Sequence, residues 1–180
     1  VGLGNPGVEY EKTRHNTGRI VVDVLEKAGD LPPKSRVIVP KTFMNQSGKA
    51  VVPYIKSKTA AKSLIVVHDE LDLPLGVVRV SFGSSAGGHN GVKSVQSALK
   101  TKDFIRIRVG VSKLSRGKAR KPGGEKAILA FLLGKLTKGE YEKLIGPITE
   151  RVGIAIDAIA TAKGDPIMGM NAVNGLPPIK

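Results

Sequence analysis

Apolar positions recur in two rhythms along this chain. Ile20, Val21, Val24 and Leu25 repeat at helical spacing, and Gly29, just after Lys27, marks a stop. Val92, Val95 and Leu99 mark a second helix. Leu64 to Val67 is an unbroken apolar run, which predicts a buried strand whose C-terminal end delivers His68-Asp69-Glu70-Leu71-Asp72. Val77 to Phe82 predicts another strand, and Arg36 to Val39 a short one. Phe104 to Val111 alternates apolar with basic residues, as a strand would with one wet face bearing Arg106 and Arg108. Ser47 is placed to cap a helix reaching about Lys56, which Pro53 should bend or shorten. Ala127 to Leu133 is short and apolar. Thr137 and Glu140 have capping-box spacing before a helix carrying Tyr141, Leu144, Ile145 and Ile148. Pro147 should kink that helix, and its pattern resumes through Val152, Ile156 and Ile159. Strands alternating with helices predict one three-layer α/β domain over residues 1–180. Two stretches fit neither rhythm. Ser112 to Gly124 reads as a flexible basic loop, and the Gly- and Pro-rich tail from Gly164 to Lys180 as irregular.

Charge adds a partner to this picture. The 180 residues carry a formal net charge of +14. Between Lys100 and Lys126 stand ten basic residues against Asp103 and Glu125. A basic cluster beside strand-forming residues points to nucleic acid, against the blander reading of a solubilising surface. The absence of cysteine excludes disulfide and thiolate chemistry and suits a reducing, cytoplasmic setting. No apolar run approaches the length of a membrane span, so no membrane partner is expected. The chain begins at Val1, which leaves an organellar address open.

The candidate chemistry begins at the start of the chain, in VGLGNPGVEYEKTRHNTG. Val1 and Leu3 read as the end of a buried strand entering a tight loop, with Asn5 presenting its amide to a cleft and His15 following on a second loop. Gly2, Gly4 and Gly7 also fit the dinucleotide fingerprint. That motif needs a helix opening at the third glycine, and no apolar stripe follows Gly7 until Ile20. Further polar residues recur at strand ends and loop starts: Asn45, Asp69, His89 and Asn90. Three asparagines with a histidine and an aspartate suggest amide recognition plus one general base. A metal held by His15, His68, His89, Asp69 and Asp72 is the rival, but no two histidines have a tight metal spacing. No metal and no cofactor are therefore expected. His68 reads as an ordinary partly buried histidine, and His89 is open between structure and function.

At these residues the chain resembles the bacterial-type peptidyl-tRNA hydrolase family. The likeness rests on four motifs in order, VGLGNPGVEYEKTRHNTG, PKTFMNQSGKAV, HDELDLPLG and GGHNGVKS, followed by FIRIRVGV. It runs from residue 1 to about 134 and more weakly beyond. It implies a single α/β domain with a twisted mixed sheet, acting as a monomer that hydrolyses the ester between a nascent peptide and its tRNA. His15 would be the general base on a water, and Asp69 the carboxylate that orients it. Asn5, Met44, Asn45 and Asn90 would line the cleft for the peptide and the tRNA 3′ end, with Tyr10 and His89 beside them. Arg108 would grip a tRNA phosphate, joined by Lys113 and Arg116 on the basic loop, where the family has a mobile lid. This suits the residues. Ester cleavage needs an activated water and a polarised carbonyl; a positioned histidine contributes roughly 10²–10⁴-fold. An asparagine donor to the oxyanion, here Asn5, contributes about 10²–10³-fold.

Two departures from the family pattern stand out. Gly29 to Val39 is shorter than the family's strand and turn at that point. Ser81 stands where the family often has a phosphate-gripping lysine, and Arg79, two residues earlier on the same strand face, is expected to substitute. A non-catalytic RNA-binding relative is the alternative function, since such a protein would keep the basic face.

Overall fold

The computed structural model describes residues 1–179 as a four-stranded mixed sheet between layers of helices. Helices α1 (Thr17–Ala28), α2 (Ser47–Val51) and α3 (Lys58–Ala61) precede strands β1 (Ile65–Pro74) and β2 (Val78–Phe82). Helix α4 (Asn90–Leu99) leads to β3 (Ile105–Ser115) and β4 (Lys118–Arg120). Helices α5 (Glu125–Leu133), α6 (Lys138–Lys143), α7 (Thr149–Thr161) and α8 (Pro166–Val173) follow. β3 lies between β1, to which it is parallel, and β2, to which it is antiparallel. Residues 1–3 pair parallel along the free side of β1: the Val67 N–H donates to the Val1 carbonyl, and Leu3 N–H to the Val67 carbonyl.

Period-two alternation sorts the strand residues between the layers. Ile105, Ile107, Val109, Val67, Val78 and Val80 face Val21 and Leu25 of α1 and Val152 and Ile156 of α7. On the other side Val66 and Phe104 pack with Val51 of α2 and Val92 and Val95 of α4. Each such side chain, fully buried, contributes about 1.5–3 kcal/mol. The helix signals act as expected. Gly29 takes φ 76° as the left-handed cap of α1. Thr137 and Glu140 form both bonds of the capping box. The chain kinks at Gly146-Pro147 between α6 and α7.

Gly18 lets α1 lie directly on β1, because a Cβ there would meet the Val67 carbonyl oxygen and the Leu3 nitrogen. Both atoms are backbone and cannot swing away. Gly18→Ala should therefore lower stability by about 1–3 kcal/mol or more, read as a fall in the urea midpoint.

Several expectations require correction. Residues 36–39 form no strand; Ile38 offers only its carbonyl, to Gly2 N–H, so the short Gly29 to Val39 segment contributes one hydrogen bond at the edge. The helix opening at Ser47 stops at Val51, ahead of Pro53. The buried strand predicted to end at Val67 runs on, so that His68 to Asp72 lie within β1, which β3 keeps in register as far as Glu70. The 112–124 stretch is a hairpin rather than a loop: β3 continues to Ser115 and β4 returns. Arg116 (φ 49°) and Gly117 (φ 77°) give the two left-handed residues that a tight hairpin turn requires.

The tail is not irregular either. Asp165 caps α8 by accepting from Ile167 N–H, and Pro166 opens the helix at a position that needs no N–H donor. Lys180 lies outside the described residues. Beyond α8, Asn174 imitates a strand: its Oδ1 accepts from Val80 N–H at 2.7 Å and its Nδ2 donates to the Val80 carbonyl at 3.0 Å. The free edge of β2 is thereby covered.

Candidate active site

His15 stands in a short 3-10 turn, Arg14–Asn16, just ahead of α1. Asp69 comes from β1. The two meet because α1 packs across that strand, and His15 Nδ1 lies 3.0 and 3.1 Å from the two Asp69 carboxylate oxygens. The carboxylate can only accept, so Nδ1 carries the proton and Nε2 keeps its lone pair. Burial opposes a charge on His15, but the Asp69 charge and hydrogen bond outweigh it and hold the imidazole above its ordinary value. Burial likewise opposes ionisation of Asp69, yet the neighbouring imidazoles hold it well below the usual carboxylate range.

His89 is the second of those imidazoles. It precedes α4, and its Nε2 lies 2.9 Å from the same Asp69 Oδ1 that His15 engages. Its Nδ1 accepts from Gly91 N–H at 3.1 Å and Val92 N–H at 3.3 Å. His89 is thus a helix cap and a carboxylate partner at once. His68 is fully buried, not partly: its Nδ1 donates to the Asp69 carbonyl at 2.7 Å and its ring meets that of His89 edge to face. Burial, with His89 and Arg106 adding to it, keeps the His68 imidazole neutral. One ligand atom each from His15, Asp69 and His89 falls within 4.8 Å of the others, a grouping that sequence spacing did not reveal.

A cleft of about 490 Å³ opens over His15, Asp69, His89 and Asn90, walled on the far side by Ile128 and Leu132 of α5. Asn45 and Asn90 share a neighbouring depression with Lys49 and Lys93. Asn5 opens instead onto a third, beside Asn16 and Arg19. Its Oδ1 accepts from Met44 N–H at 2.8 Å, which leaves Nδ2 without a partner among the described residues. Met44 is a core residue whose backbone, rather than its side chain, meets Asn5. Tyr10 lies outside the cleft, with its ring edge-on to Phe43.

The profile described as peptidyl-tRNA hydrolase matches residues 1–178. The chain belongs to the peptidyl-tRNA hydrolase family. A peptidyl-tRNA hydrolase of Nocardia farcinica is 39% identical over 178 positions, covering 88% of each chain. One of Marinobacter nauticus is 34% identical over 197 positions, covering 99% of this chain and 95% of its own. That span exceeds the 180 residues present, so the relative carries positions with no counterpart here. The crystal structure of peptidyl-tRNA hydrolase from Acinetobacter baumannii superposes with a TM-score of 0.76 at 30% identity, over 99% of this chain and 94% of that one.

On the sheet face next to α4, the alternation that predicted a wet strand face holds for only one of its two arginines. Arg106 is not on a wet face. It is buried beneath the loop before α4, where its Nη2 donates to Ser84 Oγ. Arg108 is partly exposed, its Nε donating to Glu70 at 2.8 Å. Arg79 sits opposite Arg108 in register, but its Nη1 donates to the carbonyls of Val78, Val173 and Leu176. Arg79 therefore also ties the C-terminal segment to β2. The Ser81 hydroxyl is buried and has no partner among the described residues. Lys113 and Arg116 project from the hairpin into solvent.

Two positioning residues escaped the sequence reading. Asn16 clamps the Asn5 backbone from both sides, accepting from its N–H at 2.7 Å and donating to its carbonyl at 2.9 Å. Arg14 donates to the Lys135 carbonyl and to Glu140, and stacks over Phe131, so it joins the turn bearing His15 to α5 and α6. The only signal for either was adjacency to His15. Phe43, also missed, is 55% exposed beside Asn45, where the Tyr10 ring meets it edge-on.

Proposed function

We infer that this chain is an enzyme that hydrolyses the ester bond of peptidyl-tRNA, with His15 as the general base. The observation that carries this reading is the His15–Asp69 pair, which leaves the imidazole Nε2 lone pair free beside the cleft. There it removes a proton from water as the water attacks the ester carbonyl, and Asp69 stabilises the imidazolium that forms. The role of Asn5 as donor to the developing oxyanion, through its unpartnered Nδ2, rests on the family resemblance, since Asn5 lines a depression other than the cleft over His15. Asn45 and Asn90 hold the peptide and the tRNA 3′ end through amides, which tolerate any nascent sequence. The exposed Phe43 ring, beside Tyr10, offers a stacking surface for a terminal base. His89 lies between the base and Asn90.

The tRNA body is held through phosphate contacts from Arg108 and Arg79, extended by Lys113 and Arg116 on the hairpin. Such contacts supply affinity without reading sequence. Self-repulsion at +14 supports action as a monomer, and the substrate is one found in the cytoplasm. Among the described residues no helix is long and apolar enough to cross a membrane.

Single-turnover cleavage of a labelled N-acyl-aminoacyl-tRNA tests this function. Rapid release of the acyl amino acid is the expected result. Tight, salt-dependent tRNA binding with no release would replace it with a non-catalytic RNA-binding role. Replacing Lys113 and Arg116 together by alanine should weaken tRNA binding uniformly across sequences. In filter binding over a salt series, the slope of log K against log salt should become shallower by about 1 for each phosphate that is no longer neutralised.

A further inference from the structure

The Asp69 carboxylate receives two imidazoles, and different groups set their tautomers. For His15 the carboxylate itself decides, since its oxygens can only accept from Nδ1. For His89 the protein backbone decides. Gly91 N–H and Val92 N–H both point at Nδ1, and two donors leave no room for a third proton there. The proton of the neutral ring therefore sits on Nε2 and points at Asp69 Oδ1, 2.9 Å away. Those amides belong to the first turn of α4, a ten-residue helix anchored in the core by Val92 and Val95. The donor facing Asp69 is thus fixed by a rigid element and does not depend on substrate.

We propose that His89 is a positioning residue, locked by the first amides of α4 in its Nε2–H tautomer, whose fixed donation to Asp69 limits the negative charge that Asp69 directs at His15. This rests on the reading of His15 as the base. An acceptor oxygen shared by two donors attracts each less strongly than it would attract one alone. Without His89, the full charge of Asp69 would fall on His15, which would hold its proton to higher pH and be a base in a smaller fraction of molecules at neutral pH. His89 also keeps the carboxylate from turning away from His15. His68, neutral and fully buried, backs the His89 ring edge to face and fixes its plane. The groups around His89 are His15 from the turn before α1, Asp69 and His68 from β1, and Arg106 of β3 behind His68. Glu70 and Asp72 of β1 line the same cleft, and Lys121 and Glu125 stand across it.

The same lock sets His15, Asp69 and His89 against use as a metal site. An imidazole that binds a metal through one nitrogen donates from the other to an acceptor. Here the far nitrogen of His89 faces two donors, so binding through Nε2 would remove a proton that Nδ1 has no room to take.

The first test is nitrogen NMR of the intact protein with 15N-labelled histidine, at alkaline pH where imidazoles are neutral. His89 should show a protonated Nε2 and a bare Nδ1; a protonated Nδ1 overturns the proposal. The second is the pH profile of kcat/KM on peptidyl-tRNA for His89→Asn and His89→Gln. Asparagine is a good helix cap but too short to donate to Asp69. Its acid limb should move up by about half a pH unit. Glutamine can reach Asp69 with an N–H and should bring the limb back toward that of the unaltered protein. An unmoved limb in His89→Asn, with only KM raised, would make His89 a substrate contact and sink the proposal. If His15 is not the base, the limb vanishes as evidence while the NMR result stands, so the two failures are distinguishable.

Discussion

Replacing His15 by alanine should lower kcat for peptidyl-tRNA by about 10²–10⁴-fold while leaving the tRNA dissociation constant unchanged. The ring contributes only to the step in which water loses its proton. It lies at the floor of the cleft rather than on the basic face, so ground-state binding does not depend on it. The pH dependence gives a second signature. His15 must be neutral to act, so activity rises with pH, and its acid limb lies above the ordinary imidazole value because Asp69 holds the proton on. In His15→Ala that limb should disappear and the residual rate should follow hydroxide. A variant that binds tRNA less tightly and cleaves what it binds at the normal rate would show that His15 is a contact and that another group is the base.

Asp69→Asn should be nearly as damaging, with a loss on the order of 10²–10⁴-fold, for a different reason. The substitution keeps the shape but supplies an amide N–H that can face His15 Nδ1. The ring then carries its proton on Nε2, where a base needs a lone pair. The direction of the pH shift separates this from simple damage. With the carboxylate gone, nothing balances the burial of the ring, which favours the neutral form. The surviving acid limb should fall below the ordinary imidazole value, opposite to the shift expected for His89→Asn. Single-turnover cleavage across pH, with thermal unfolding to confirm an intact fold, provides both readings. A limb that stays in place would mean that Asp69 does not set the basicity of His15.

The pair at the centre of these predictions was legible because each partner sits inside a dense motif. RHN ends the opening loop, and HDELD follows an unmistakable apolar run. The helices were legible where caps and apolar periodicity agreed, as at Gly29 and at Thr137 with Glu140. What stayed hidden depended on side chains meeting backbone at long range. Asn5 read as an amide presented to a cleft, but half of it is taken by Met44 N–H, 39 residues away. His89 is no ordinary helix cap, and nothing in GGHNG announces that two amides would select its tautomer. Arg106 and Arg108 look alike in an alternating strand, yet the loop before α4 covers the first and leaves the second partly open. The hairpin and α8 were missed for a simpler reason. The charge around Arg116-Gly117 masks a turn signal, and the glycines and prolines of the tail obscure the Asp165-Pro166 start signal.

Asn174 places a condition on how this molecule is made. It covers the open edge of β2, yet it lies 94 residues after the strand it protects. During synthesis β2 can pair with β3 as soon as both have left the ribosome, but its outer row of N–H and C=O groups waits for a segment 94 residues further on. Throughout that interval the nascent sheet is a template for any other extended segment nearby. A segment translated 94 residues later is therefore what makes the sheet safe. A ribosome that stalls shortly before Asn174 would leave a nearly complete domain with its sticky edge exposed, still attached as the kind of peptidyl-tRNA that this family hydrolyses.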